Sequence, residues 1–348
     1  MQQARNSGKG QNRTPPLRAG GGVGEWRNQP TWTSPNPPAY ARPMRRRTLL
    51  ALMLLATPAT AQPPPGIAAE LQRIGRVIEV PRTAALYAPL HRADASAGIR
   101  ITRDAAYGPD PRNRLDIFAP EAASAPRGVL VFVHGGGFVG GDKRMAAFPV
   151  FYDNVALWAA RQGMVGVNVT YRLAPAHPYP AAQEDLARAL AWVAANIDAQ
   201  GGDPARVFVM GHSAGAIHAA LYAAEPRFHP DGVMPPRGYA LVSGLYWFGD
   251  EAAPPNERAY FGEPAATRAE RSPAEGLTRV AAPILLAFAE LNPPRFNDHA
   301  ARIAAALRAA GRDPVMAPLP GHSHISEILA VGTGDESLTG PLATFLRR

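Results

Sequence analysis

From Val129 onward the chain alternates short continuous apolar runs with longer stretches in which apolar residues recur every three or four positions. The runs Val129–Val133, Met164–Val169, Val207–Met210, Tyr239–Val242, Ile284–Ala289 and Pro314–Ala317 have the length and apolar content of strands buried on both faces. Between them the spacing predicts helices near Phe148–Arg161, Ala181–Asp198, Ala214–Ala224, Asp298–Ala310 and Pro341–Arg347. This alternation predicts an α/β fold with a mostly parallel central sheet covered by helices on both faces. Upstream lie a helical pattern around Ile67–Ile78 and two short strands, Ile99–Thr102 and Leu115–Phe118, around the turn-rich stretch Tyr107–Pro111. With no internal repeat and no second core, residues 62–348 are expected to form a single domain. Gly244–Val280 breaks the pattern: it is rich in proline and aromatics and has no period, so it reads as a lid or as a plain surface excursion. Its Tyr246, Trp247 and Phe248 are candidate pocket walls, or simply core.

A net charge of +8 and a pI near 10.1 invite a polyanionic partner until the charge is located. Residues 1–61 hold nine Lys/Arg against one Glu, which leaves residues 62–348 with 27 charges of each sign. A phosphate-binding footprint needs clustered basic charge on the folded part, so no nucleic-acid partner is expected. The basic segment reads instead as a leader. Met44-Arg45-Arg46-Arg47 precedes the apolar run Leu49–Ala56, and Ala59-Thr60-Ala61 ends it, which is the layout of a secretory signal peptide over residues 44–61. Arg46-Arg47-Thr48-Leu49-Leu50 resembles a twin-arginine export signal. Residues 1–43, rich in Gly, Pro, Asn and Arg, are expected to be a disordered basic leader, or to lie outside the protein if translation starts at Met44. The expected destination is the periplasm or the extracellular medium. The chain has no cysteine, hence no disulfide and no thiol for a lipid anchor, and no membrane span is expected once the signal is removed.

Chemistry enters at Gly211-His212-Ser213-Ala214-Gly215, between the strand Val207–Met210 and the helix from Ala214. G-x-S-x-G in that context is a nucleophile elbow, a sharp turn that lifts the serine hydroxyl above the sheet, so Ser213 is the candidate nucleophile. Val131–Val133 runs into His134-Gly135-Gly136-Gly137-Phe138, where glycines expose N–H groups without side-chain obstruction. Gly136 and Gly137, with Ala214 after the serine, are the expected oxyanion donors. The same stretch also satisfies G-x-G-x-x-G, but a dinucleotide site needs an acid at the end of the next strand. That strand ends Asn168-Val169-Thr170-Tyr171, so the dinucleotide reading fails.

From about Tyr107 to the end, the chain resembles the hormone-sensitive-lipase and bacterial carboxylesterase branch of the α/β-hydrolases. His134–Phe138, Tyr171–Ala182, Asp185, Gly202–Arg206 and the elbow carry the likeness. The resemblance implies the α/β-hydrolase fold with small N-terminal and lid segments. It also implies an oxyanion loop at His134–Gly137 and a structural role for the Tyr171-Arg172-Leu173-Ala174-Pro175 stretch. Two departures are visible. His212 stands where the lipase branch usually has Asp, and Gly-His-Ser-Ala-Gly-Ala is similar to feruloyl-esterase-like and kynurenine-formamidase-like relatives. The segment from Gln62 to about Gly98 is also short for a full cap.

In this fold the acid and then the histidine follow the serine along the chain. Of His322 and His324, the resemblance favours His324 as base. The two imidazoles form a weak zinc motif without a third ligand nearby, and neither metal nor organic cofactor is expected. The acid position is anomalous: after Ile284–Ala289 the chain reads Glu290-Leu291-Asn292, where the family pattern is Glu-x-Asp. Glu290 lies two residues before Asn292 and, on a continuing strand, would point the same way, which makes it the preferred acid. The alternatives are Asn292 itself, Asp298 in the following helix, or a degenerate site. The expected activity is carboxylic-ester hydrolysis of small acyl esters. An arylformamidase-like amidase and a non-catalytic binding protein on the same scaffold are the competing readings.

Overall fold

The computed structural model describes residues 62–122 and 126–348, so the basic leader and the signal segment lie outside the described residues. The described strands are β1 (Ile99–Ala106), β2 (Arg114–Pro120), β3 (Arg127–Val133), β4 (Val165–Val169), β5 (Gly202–His212), β6 (Gly238–Val242), β7 (Ile284–Leu291) and β8 (Val315–Ser323). They form one sheet in the order β1-β2-β4-β3-β5-β6-β7-β8. The β1–β2 and β2–β4 pairings are antiparallel and the other five are parallel.

Apolar side chains alternate between the two faces of the parallel strands. Val129, Val131 and Val133 of β3 join one core with Val207, Val209, Tyr239, Leu241 and Leu286. Leu130 and Phe132 join the other with Phe208, Met210, Val242 and Leu285. Strands buried on both sides read as continuous apolar runs, which is why they were visible in the sequence. The helices, in chain order, are α1 (Pro65–Ile74), α2 (Pro81–Tyr87), α3 (Asp153–Arg161), α4 (Ala181–Asn196), α5 (Ala214–Ala224), α6 (Pro255–Phe261), α7 (Ala265–Glu270), α8 (Ala274–Leu277), α9 (Pro294–Ala309), α10 (Ser326–Leu329) and α11 (Thr339–Phe345). Residues of α4, α5 and α9 cover the first face, and residues of α1–α3, α10 and α11 cover the second.

Several boundaries differ from the sequence expectation for local reasons. α1 stops at Ile74 because Gly75 turns to φ +82°. α9 starts at Pro294, four residues earlier than expected, with proline at the position where a missing N–H costs nothing. α3 starts only at Asp153, after Tyr152 at φ +76°. The consequence for function is at the C-terminal edge of the sheet, where open α/β folds bind ligands. There His134–Gly137 follow β3, Ser213 follows β5, Ser243 follows β6, Asn292 follows β7 and His324 follows β8.

Candidate active site

Ser213 occupies a one-residue hinge between β5 and α5, at φ +56° and ψ −121°. A non-glycine residue holds that conformation only when its surroundings impose it. The Ser213 N–H donates to the Val242 carbonyl at 2.9 Å. α5 packs so tightly under the turn that a Cβ on Gly215 would sit 2.0 Å from the Val133 carbonyl oxygen, which admits only glycine. Beside the elbow, Gly136 adopts φ +133°, and a Cβ there would meet the Gly140 carbonyl oxygen at 2.1 Å. The N–H groups of Gly136, Gly137 and Ala214 donate to no acceptor among the described residues, and all three residues border the same cavity as Ser213.

The glycine loop is braced from three sides. Tyr171 Oη donates to the His134 carbonyl at 2.8 Å, and the Ala174 N–H donates to the Phe138 carbonyl at 3.0 Å. Asn256, from α6, donates to the Gly137 carbonyl at 3.1 Å. The Tyr171–Ala174 stretch is thus a support for the loop. Arg172 anchors it from behind through Asp185, which accepts both its N–H and its Nε–H. The buried His134 ring is stacked on Tyr171, and burial pushes its pKa down to about 3, so it packs as a neutral ring.

His324 Nε2 lies 2.8 Å from Ser213 Oγ, and His324 Nδ1 lies 2.9 Å from Asn292 Oδ1. The structure therefore brings Ser213, His324 and Asn292 into one line. Glu290, the preferred acid from the sequence, is not in it. The register of β7 against β8 slips between Ala289 and Leu291, so the two-residue alternation that would have aligned Glu290 with Asn292 does not persist. Asn292 is already in a turn, its N–H bonded to the Ala289 carbonyl, whereas Glu290 is exposed and accepts the Gly321 N–H at 2.8 Å. Asp298 is exposed in the second turn of α9. His322 is buried elsewhere, between Ser326, Ser337 and Asp335.

The orientation of the Asn292 amide follows from its neighbours. The Glu290 backbone carbonyl can only accept, and it takes a hydrogen bond from Asn297 Nδ2 at 3.3 Å. That turns Asn297 Oδ1 toward Asn292 Nδ2, which it meets at 3.1 Å. Asn292 Nδ2 also donates to Ser243 Oγ at 2.9 Å. The amide oxygen must then face His324, whose Nδ1 carries the proton and leaves Nε2 free to accept from Ser213. Burial, and His212 nearby, hold the His324 pKa well below the usual imidazole value, which keeps this neutral form.

A family model described as an alpha/beta hydrolase fold matches residues 130–327. The chain belongs to the alpha/beta hydrolase fold family. It is 31% identical over 260 residues to Esterase LipC of Mycobacterium tuberculosis, covering 68% of this chain and 61% of that protein. It is 32% identical over 250 residues to Esterase LipQ of the same organism, covering 66% and 58%. The match spans between about a quarter and about three fifths of the length of the curated relatives. Among solved structures, esterase B from Lactobacillus rhamnosis aligns with a TM-score of 0.63 at 19% identity, over 80% of this chain and 94% of that one. A bacterial heroin esterase aligns with 0.58 at 24%, over 82% and 97%. These structural likenesses speak for the shared fold.

In this hydrolase-fold chain Ser213 opens into a cavity of about 530 Å³. Its walls are mainly apolar, with Val80, Met145, Phe151, Leu245 and Phe296 prominent, and Asn256, Glu257 and Arg295 supply polar groups. Phe296 also packs against the His324 ring, centroids 4.5 Å apart. Gly244–Val280, unassigned from its pattern, folds into α6–α8 and lends Leu245, Pro254, Asn256 and Glu257 to the cavity. Its aromatic triplet is not the wall: Tyr246 and Phe248 are core, and Trp247 stacks under Arg302. Ser243 and Asn256 carried no sequence signal because each acts through a contact between distant segments, and Asn297 because its role depends on how the turn after β7 folds.

Proposed function

We propose that the chain is a serine carboxylic-ester hydrolase acting on small acyl esters through an acyl-enzyme intermediate. The observation that carries this reading is the line Ser213–His324–Asn292 beside the unpaired N–H groups of Gly136, Gly137 and Ala214. Ser213 Oγ attacks the ester carbonyl while His324 Nε2 takes its proton. The three N–H groups receive the oxyanion, and the leaving alcohol regains the proton from His324. Water, activated by the same nitrogen, then releases the acid. A mainly apolar cavity of about 530 Å³ suits a small ester with a short apolar acyl or alcohol group. Relatives and neighbours bearing the name esterase support the same chemistry.

The test is a chain-length series of p-nitrophenyl esters on residues 62–348, with fluorophosphonate labelling. Wild type is expected to label and Ser213→Ala is not, with kcat falling by at least about 10³-fold. Preferential turnover of N-formylkynurenine over p-nitrophenyl butyrate would replace the ester assignment by the amidase one. We also propose export through residues 44–61; N-terminal sequencing of the mature protein should begin near Gln62.

A further inference from the structure

Glu327, in α10, is wholly buried, and neither of its carboxylate oxygens has a well-formed hydrogen bond among the described residues. An apolar side chain of similar size would fill the space without that desolvation penalty. Its neighbours are those of the candidate site. Oε1 lies 3.4 Å from His212 Nε2, and the Ser243 hydroxyl lies alongside. One carboxylate oxygen, one ring nitrogen of His212 and one of His324 all lie within 4.8 Å of one another.

We propose that Glu327 is a positioning residue that supplies, from behind His324, the negative charge that Asn292 lacks. The inference rests on the serine-hydrolase reading above. Two paths run from the carboxylate to His324, one to its imidazole and one to its main chain. On the first, Ser243 Oγ accepts from Asn292 Nδ2, so its own proton is free to point at Glu327. His324 Nδ1–H, the Asn292 amide and the Ser243 hydroxyl then form dipoles aligned in one direction, with the anion at the end. On the second, Tyr152 Oη accepts the Gly135 N–H at 3.1 Å and donates to His212 Nδ1 at 3.1 Å. The His212 proton therefore sits on Nε2, which donates to the His324 carbonyl at 2.8 Å and faces Glu327.

The titratable groups around Glu327 are His212 on β5, His322 and His324 at the end of β8, and Tyr152 before α3. His322 has its own partner in Asp335, 3.2 Å away. Burial holds the Glu327 pKa above the ordinary glutamate value, and His212, Ser243 and His322 offset that rise only in part. An anion this close in a dry interior acts on His324 without touching it. When His324 takes the serine proton, the charge developing on its ring is offset by Glu327.

Glu327→Gln keeps the shape and removes the charge. With p-nitrophenyl butyrate we expect kcat to fall by about 10²-fold with KM within about 3-fold. The acid limb of kcat/KM should move to lower pH by about one unit, because an imidazolium without the anion is less stable. Asn292→Asp places a carboxylate directly on His324 Nδ1, and in that background Glu327→Gln should cost less than about 3-fold. A wild-type rate and pH profile for Glu327→Gln, or an equal loss in both backgrounds, overturns the proposal. Should Glu327→Gln fail to fold, Glu327→Met removes the charge and suits the buried site, and an acid limb left in place there overturns the proposal as well. Fluorophosphonate labelling separates the two claims. An unlabelled wild type removes the serine-hydrolase reading and this inference with it, whereas a labelled wild type with an indifferent Glu327→Gln removes the role of Glu327 alone.

Discussion

An asparagine behind a catalytic histidine faces two problems, one of orientation and one of charge. In a serine protease, replacing the triad aspartate by asparagine lowers kcat by about 10⁴, largely because the amide favours the wrong tautomer. Here the orientation problem is removed upstream, by a backbone carbonyl at Glu290 that fixes Asn297, which in turn fixes Asn292. The residue favoured from the sequence thus contributes through its main chain. If this is the role of Asn297, Asn297→Leu should lower kcat by about 10-fold through partial amide flipping. The same change in an Asn292→Asp background should cost almost nothing, since both carboxylate oxygens accept. Steady-state kinetics on the four variants checks this, and equal losses in the two backgrounds would show that Asn297 only supports packing.

At the scale of elements, the elbow depends on how closely α5 approaches β3. The space at Gly215 is closed by the Val133 backbone, which cannot rotate away as a side chain can. Gly215→Ala is therefore expected to destabilise by about 3 kcal/mol and to displace Ser213. Gly66 in α1 has nothing within 4 Å, and Gly66→Ala should be neutral or stabilise by up to about 1 kcal/mol. Thermal melts of the two variants give the comparison; equal shifts would contradict it. The strands were readable because burial on both faces imposes continuous apolar runs. The end of β7 was not. A register slip and a turn within three residues reassign which side chain faces His324, and neither has a hydrophobic signature.

For the molecule as a whole, the buried imidazoles couple stability to pH. Burial holds His134 and His218 at about 3 and His299 at about 4, and His324 is also depressed. In the unfolded chain these rings take a proton near ~6.5. Between that pH and about 3–4 the unfolded state binds more protons, so the stability present above ~6.5 is lost as the pH falls. For the fully buried His134 and His218 the loss at pH ~5 is about 2 kcal/mol each. The melting temperature should drop between pH 7 and pH 5, and His218→Gln should flatten that slope. A midpoint that stays level over this range would refute the account.

Sequence alone determined the alternation of strands and helices, the strand–turn–helix setting of Ser213 and the glycine run after β3. All three are local, written in hydrophobic period and in backbone positions only glycine can fill. Only the tertiary structure decided which acid or amide stands behind His324. It did so by joining the ends of β5, β6, β7 and β8 with α10, so that Asn292 and Glu327 stand by one ring, with Ser243 and Asn297 holding Asn292. Contacts between segments that far apart depend on register and turn geometry, to which hydrophobic periodicity is blind.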